Sequence, residues 1–140
     1  MPSFEKPEIA ALDARNFGLL SGNAAWQQEL TLKLIKAAVA AGAKALILPE
    51  CGHAYGALRW QGANVYGQPL PFEVLHISEF LSAQVRSGKL KLKKLDKSVT
   101  FHDPCQVSRR GGATQAPRDV LQALGVDLRE MRDSGDLGYC

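Results

Sequence analysis

Twice along this chain a short candidate strand is closed by a loop that carries a cysteine and then opens into a helical pattern. The first is Ala45-Leu-Ile-Leu48, followed by Pro49, Cys51 and the segment to Trp60. The second is Ser98-Val-Thr-Phe101, followed by His102-Asp-Pro-Cys105 and, after a loop, a helix opened by Pro117. A four-residue apolar run suits a strand buried on both faces, as parallel strands are. A helix after each strand supplies the crossover that a parallel partner needs. The expected fold is therefore α/β, a layered fold with a mainly parallel sheet flanked by helices.

The other elements follow the same logic. Ser21-Gly-Asn23 reads as a cap, and from Ala24 the residues Trp26, Leu30, Leu34, Ile35, Ala38 and Val39 fall at helical spacing until Gly42. Asp13 to Leu20 suggests a shorter helix. Gln68 to Pro71 is a turn, and Val74 to Ser87 is a helix stopped by Gly88. Lys89 to Leu95 alternates lysine with leucine, as an edge strand or exposed linker does; a docking surface for an acidic partner is the sharper reading. Val126 to Leu128 is a third strand, and Asp133 to Gly138 is turn-like.

Composition narrows the class. The 140 residues are 46% hydrophobic and 22% charged, enough for one core. Seventeen basic residues against 14 acidic give +3, too small an excess to indicate nucleic-acid binding. The most apolar stretch, Leu34 to Leu48, is broken by Lys36, Gly42 and Lys44, so no membrane span is expected. The opening residues lack the basic-then-apolar order of a signal peptide, which points to the cytoplasm.

Three cysteines without a signal peptide argue against a disulfide framework. Cys105 sits where an open α/β sheet binds ligands, beyond the carboxyl end of a strand. Arg109 and Arg110 follow it, and nearby cations favour the thiolate that ligates metals or attacks electrophiles. A buried structural cysteine is the equal alternative. His102 and Asp103 are candidates to ligate, to relay a proton, or to tie the loop, the last being the commonest role. Cys140 lies 35 positions beyond Cys105, too far for a local metal knuckle but the right reach for a crossover unit that returns the chain to the same sheet edge. Cys51 and His53 form a weaker couple, too close for a typical zinc pair. Tyr55, Trp60 and Tyr66 are expected to pack in the interior. Three thiols fall short of the four that an iron–sulfur cluster usually takes. No glycine-rich dinucleotide or phosphate loop is present.

The run Phe101-His-Asp-Pro-Cys-Gln-Val-Ser-Arg-Arg-Gly-Gly112, then Ala116-Pro-Arg118 and a closing Gly-Tyr-Cys140, resembles the cysteine-rich CCG domain. That domain occurs in heterodisulfide reductase B- and D-type subunits and in the iron–sulfur subunits of glycolate oxidase and anaerobic glycerol-3-phosphate dehydrogenase. Pro49 to Trp60 resembles an iron–sulfur oxidoreductase branch related to dimethylglycine-catabolism proteins. The resemblance implies an electron-transfer subunit whose parent binds [4Fe–4S] clusters and works with flavoprotein dehydrogenase or other electron-transfer subunits. It would be cytoplasmic and peripheral to the inner membrane through those partners. It matches Cys105 to the first cysteine of a second repeat, Cys140 to the first of its Cys-Cys-Gly, and Cys51 to the first cysteine of the preceding repeat's Cys-x-x-Cys, with Ala54 at the position of its partner. His102, Asp103, Arg109, Arg110 and His53 would surround these ligands.

On this reading residues 1–97 are the C-terminal part of one repeat plus a linker, and 98–140 the N-terminal part of the next, in one compact unit. Cys-Cys-Gly and the downstream Cys-x-x-Cys are incomplete, so the chain reads as an excised piece, inactive alone. A sheet edge left unpaired would favour a homodimer. A thiol–disulfide redox protein using Cys105 and Cys140, or a non-catalytic interaction module built on Lys89–Lys97, are the competing functions; a zinc site at Cys51 and His53 is a lesser one. The 140-residue polypeptide is expected to hold no cluster as made. Anaerobic reconstitution with iron and sulfide checks this: absorbance in the iron–sulfur region should not reach a stable, stoichiometric value.

Overall fold

A computed structural model of the chain describes residues 22–49 and 52–135. Helix α1 (Ala24–Ala40) starts at Asn23, whose side-chain oxygen accepts from the Trp26 N–H at 3.0 Å. It ends at Gly42, with φ of +63°, a conformation that costs glycine nothing. Leu34, Ile35 and Ala38 are its buried face. Strand β1 (Ala45–Leu48) falls on the apolar run, but it is not buried on both faces: Leu48 is buried, Leu46 and Ile47 are half-buried and Ala45 is exposed. The expected helix over Asp13 to Leu20 lies outside the described residues.

After β1 the chain enters α2 (Gly52–Gly56), a π-helical turn (Ala57–Gln61) and α3 (Gly62–Tyr66). The π turn buries Ala57 and Leu58 and leaves Arg59 and Trp60 facing outward. Gly67, at φ +80°, closes the helix.

The structure then departs from the sequence reading. Glu73–His76 is a strand, β2, not the start of the following helix. Its residues satisfy a helical pattern because four positions are too few to separate the two periods. Pairing decides: β2 lies parallel to β1, Ala45 opposite Glu73 and Leu48 opposite His76. Helix α4 (Ile77–Arg86) begins only there. His76 Nδ1 accepts from the Ser78 N–H, and the Glu79 carboxylate accepts from the His76 N–H at 2.9 Å. Burial lowers the His76 pKa, in keeping with a ring nitrogen used as an acceptor.

Residues 89–97 form an exposed linker with no regular structure. Strand β3 (Ser98–Val99), helix α5 (Gln115–Ala123) and strand β4 (Asp127–Leu128) complete the described fold. Helix α5 starts two residues before Pro117, which is tolerated in the first turn because its missing N–H has no intrahelical partner. Strand β4 pairs parallel with β3. The sheet component is thus two separate two-stranded parallel ribbons, each joined through helix. Among the described residues no helix is long and apolar enough to cross a membrane.

One apolar cluster joins the two halves. Leu34, Ile35, Leu48, Tyr55, Leu58, Phe72 and Val74 pack with Val107 and Ala113 from beyond β3. Helices α4 and α5 also meet, and Ser82 Oγ donates to Asp119 Oδ2 at 2.6 Å. Gly111 makes the closest approach. A Cβ there would stand 2.5 Å from Cε1 of the Tyr55 ring and 2.8 Å from the Gln106 carbonyl oxygen, and would also meet the Val107 carbonyl. Backbone carbonyls cannot swing aside as a side-chain tip does. Gly111→Ala is therefore expected to cost about 2–3 kcal/mol, read as a lowered urea midpoint, whereas Gly56→Ala, with no heavy atom near its Cβ position, should not destabilise.

Candidate functional site

The site is built on the loop that leaves β3. Pro104 initiates a tight coil: its carbonyl accepts from the N–H groups of Val107 and Ser108, and the Cys105 carbonyl accepts from the Arg110 N–H at 2.9 Å. Cys105 lies in this coil, half-buried and in no disulfide. Val107, Ser108 and Gly111 turn inward, so the coil is seated in the core.

Asp103 holds it there. Its side chain is only 2% exposed, yet both carboxylate oxygens are satisfied. Oδ1 accepts from Arg118 at 2.8 Å and from the Ser108 hydroxyl at 3.2 Å; Oδ2 accepts from Arg118 at 2.6 Å and from the Gly135 N–H at 2.6 Å. The hydrogen bonds and positive charge of the Arg118 guanidinium, with the bonds from Gly135 and Ser108, outweigh burial and hold the Asp103 carboxyl down at about 2. Arg118 uses all five of its N–H groups: two toward Asp103, two toward Glu130 at 2.7 and 2.9 Å, and one to the Thr114 carbonyl. Its guanidinium also lies 5.7 Å from the Phe101 ring centroid.

This network brings together segments distant in sequence. It links the residue two before Cys105 to helix α5, to the stretch after β4, and to Gly135, the last described residue. On the other side, Gly52 packs against Gln106 and Val107: a Cβ on Gly52 would stand 2.8 Å from Gln106 Cβ. The residue after Cys51 thus touches the residue after Cys105. Cys51 and Cys140 themselves lie outside the described residues.

The other predicted site residues are placed as follows. His102 is exposed beside the buried Asp103, and His53 is half-buried in α2. Arg109 and Arg110 are exposed, and the Arg110 carbonyl accepts from the Trp60 indole N–H at 2.9 Å. Tyr55 packs as expected; it is fully buried, and its hydroxyl donates to Glu79 at 2.8 Å. Burial and that bond raise its pKa. Tyr66 packs against the core. Trp60 does not: it is 59% exposed, with Arg59 over its ring at 5.4 Å, because the π turn carries it outward. Sequence reasoning missed the roles of Arg118 and Glu130. The available signal was the arginine in the first turn of a helix, one turn after a loop that buries an aspartate.

Among the described residues no three His, Cys, Asp or Glu side chains converge as a metal site. What they offer is one thiol, Cys105, at the carboxyl edge of β3, on a braced loop. That donor suits a thiolate-ligated centre completed from elsewhere.

No family model and no solved structure matches the chain. Curated relatives do. The chain is 35% identical over 115 residues to the D-type subunit of the dihydromethanophenazine:CoB–CoM heterodisulfide reductase of Methanosarcina barkeri, 81% of this chain and 28% of that protein. It is 42% identical over 87 residues to a probable membrane-anchored ferredoxin of Chromohalobacter salexigens, 61% of this chain and 12% of that one. It is 36% identical over 95 residues to an EtfAB:quinone oxidoreductase of Syntrophomonas wolfei, 67% and 13% respectively. The chain therefore spans roughly a quarter or less of the length of these relatives.

The Arg118–Asp103 pair yields an expectation. Arg118→Ala leaves a buried carboxylate unpaired and should cost about 3–5 kcal/mol at neutral pH. Because the folded Asp103 pKa is below the unfolded value of 3.8, the pair's contribution is whole above about pH 4 and is lost as pH falls toward 2. Urea unfolding across that range should show the wild type losing stability there and the variant losing less.

Proposed function

From the homology of this chain to part of the D-type subunit of heterodisulfide reductase and to allied iron–sulfur oxidoreductases, we propose that it is a segment of an iron–sulfur electron-transfer subunit of an oxidoreductase. The single observation that carries the reading is the braced Cys105 loop at the carboxyl edge of β3, within a stretch shared with those relatives. Residues 1–97 are the end of one cysteine-rich repeat and 98–140 the start of the next.

Cys105 and Cys140 are cluster ligands in this proposal, and Cys51 serves the same or an adjoining centre. Two contacts support it. Gly135 is tied to Asp103, and the five residues from there to Cys140 reach at most about 18 Å. Gly52, next to Cys51, rests on Gln106, next to Cys105. When bound, a [4Fe–4S] cluster supplies one-electron transfer. The chain's own residues hold the loop: Asp103 and Arg118 fix the backbone that presents the thiol, and Val107 and Gly111 seat it against the core. His102, His53, Arg109 and Arg110 supply polar groups around the ligands. The partners are flavoprotein or quinone-linked electron-transfer subunits, through which the protein would meet a membrane from the cytoplasmic side.

The product of the complete reading frame, purified anaerobically, tests the proposal. It should contain iron and acid-labile sulfide and give an electron paramagnetic resonance signal. Cys105→Ser and Cys140→Ser should each lower the iron content and alter that signal. Equal iron and an unchanged signal in both variants would remove these cysteines from the ligand set.

A further inference from the structure

The positive charge of this chain is concentrated in nine residues. Lys89 to Lys97 holds five lysines and one acid, Asp96, a net +4. The rest of the chain, with 12 basic and 13 acidic residues, sums to −1. Elsewhere among the described residues four cations have carboxylate partners: Lys33 pairs with Glu29, Arg59 with Glu79, Arg118 with Asp103 and Glu130, and Arg129 with Asp127; cations without one, such as Lys36 and Lys44, are scattered rather than clustered. Among the described residues, none of the five lysine side chains from 89 to 97 makes a hydrogen bond or ion pair.

The segment lacks regular secondary structure, yet its backbone is fastened at both ends. The N–H groups of Lys89 and Leu90 donate to the Gln84 carbonyl at 3.0 and 3.1 Å. The Leu95 N–H donates to the Leu124 carbonyl at 2.9 Å, and the Lys97 carbonyl accepts from the Asp127 N–H at 2.9 Å. Burial alternates between these ties: Lys89, Lys91 and Lys93 are exposed, while Leu90 and Leu92 are half-buried. The leucines hold the segment to the body of the protein and the lysines face outward. Lys94 and Lys97 are exposed as well.

Five like charges this close repel one another, and no carboxylate of the described fold relieves them. We propose that Lys89–Lys97 is an electrostatic docking strip for the acidic face of a partner protein. A backbone fastened at both ends holds the lysines in a fixed row, which a fixed row of carboxylates can match and a fluid lipid surface cannot read. Leu90 and Leu92 are turned inward, which leaves Leu95, 44% exposed, as the one outward leucine of the strip, little for insertion into lipid. The strip enters β3 at its amino end, whereas Cys105 follows the carboxyl end. A partner bound there guides association and selects by charge. The proposal stands independently of any cluster.

Fluorescence anisotropy of a labelled poly-L-glutamate peptide titrated with the 140-residue chain tests it. Affinity should fall with added salt, and K91Q/K93Q/K94Q should weaken binding about tenfold at low salt. K33Q/K36Q/K44Q removes the same charge from α1 and the residue before β1 and should stay within about twofold of wild type. Equal losses in the two variants would mean that net charge alone is read, and would overturn the strip. Co-sedimentation with mixed phosphatidylglycerol–phosphatidylcholine vesicles is the second arm. Vesicle binding that outlasts poly-glutamate binding as salt rises, and that the strip variant loses, would assign the lysines to a membrane surface instead. Circular dichroism melts matching wild type establish that both variants are folded.

Discussion

Arg118 and Asp103 form the interaction on which the architecture of the second half depends. A carboxylate that is 2% exposed is costly unless its lone pairs are filled, and here four hydrogen bonds fill them. The guanidinium fork answers with every donor it has, joining loop, helix and the stretch after β4 at one point. Strands β3 and β4 are two residues each, too short to hold this half by ladder bonds alone. The ion pair and the α4–α5 contact supply what the ribbon lacks.

Close approach of backbone does the complementary work on the other side. Gly52 and Gly111 let the start of α2 and the Cys105 coil pass within contact of each other and of the Tyr55 ring. Tyr55 then carries the contact inward, through its hydroxyl to Glu79 and its ring edge to His76, so that the cap of α4 is tied to the same point. The loop is thereby gripped between a polar network and an apolar wall. In the proposed role of Cys105 as a cluster ligand, such bracing would fix the orientation in which its thiol is presented.

Charge is distributed to match. Beside the Cys105 loop the buried Asp103 carboxylate is paired with Arg118, which also holds Glu130, whereas five lysines without a carboxylate partner among the described residues gather on the linker before β3. Site and strip occupy opposite ends of the same short strand, so the proposed partner docking and the proposed cluster site would not compete for one surface.

Local pattern was enough for much of this. Asn23 and Gly42 bound α1, the apolar run at Ala45 marks β1, and the Asp103-Pro104 step announces the turn before Cys105, because caps, short buried strands and proline turns are set by a few neighbouring residues. The cysteine motifs likewise pointed to the family before any contact was known. What local pattern could not decide was Glu73–His76, whose four residues fit helix and strand alike until β1 offered its edge. Nor could it reveal that Arg118 belongs to Asp103, that Trp60 is turned outward by a π turn, or that Gly52 rests on Gln106. Those contacts join residues far apart along the chain, and only its folded path determines which of many eligible partners a side chain meets.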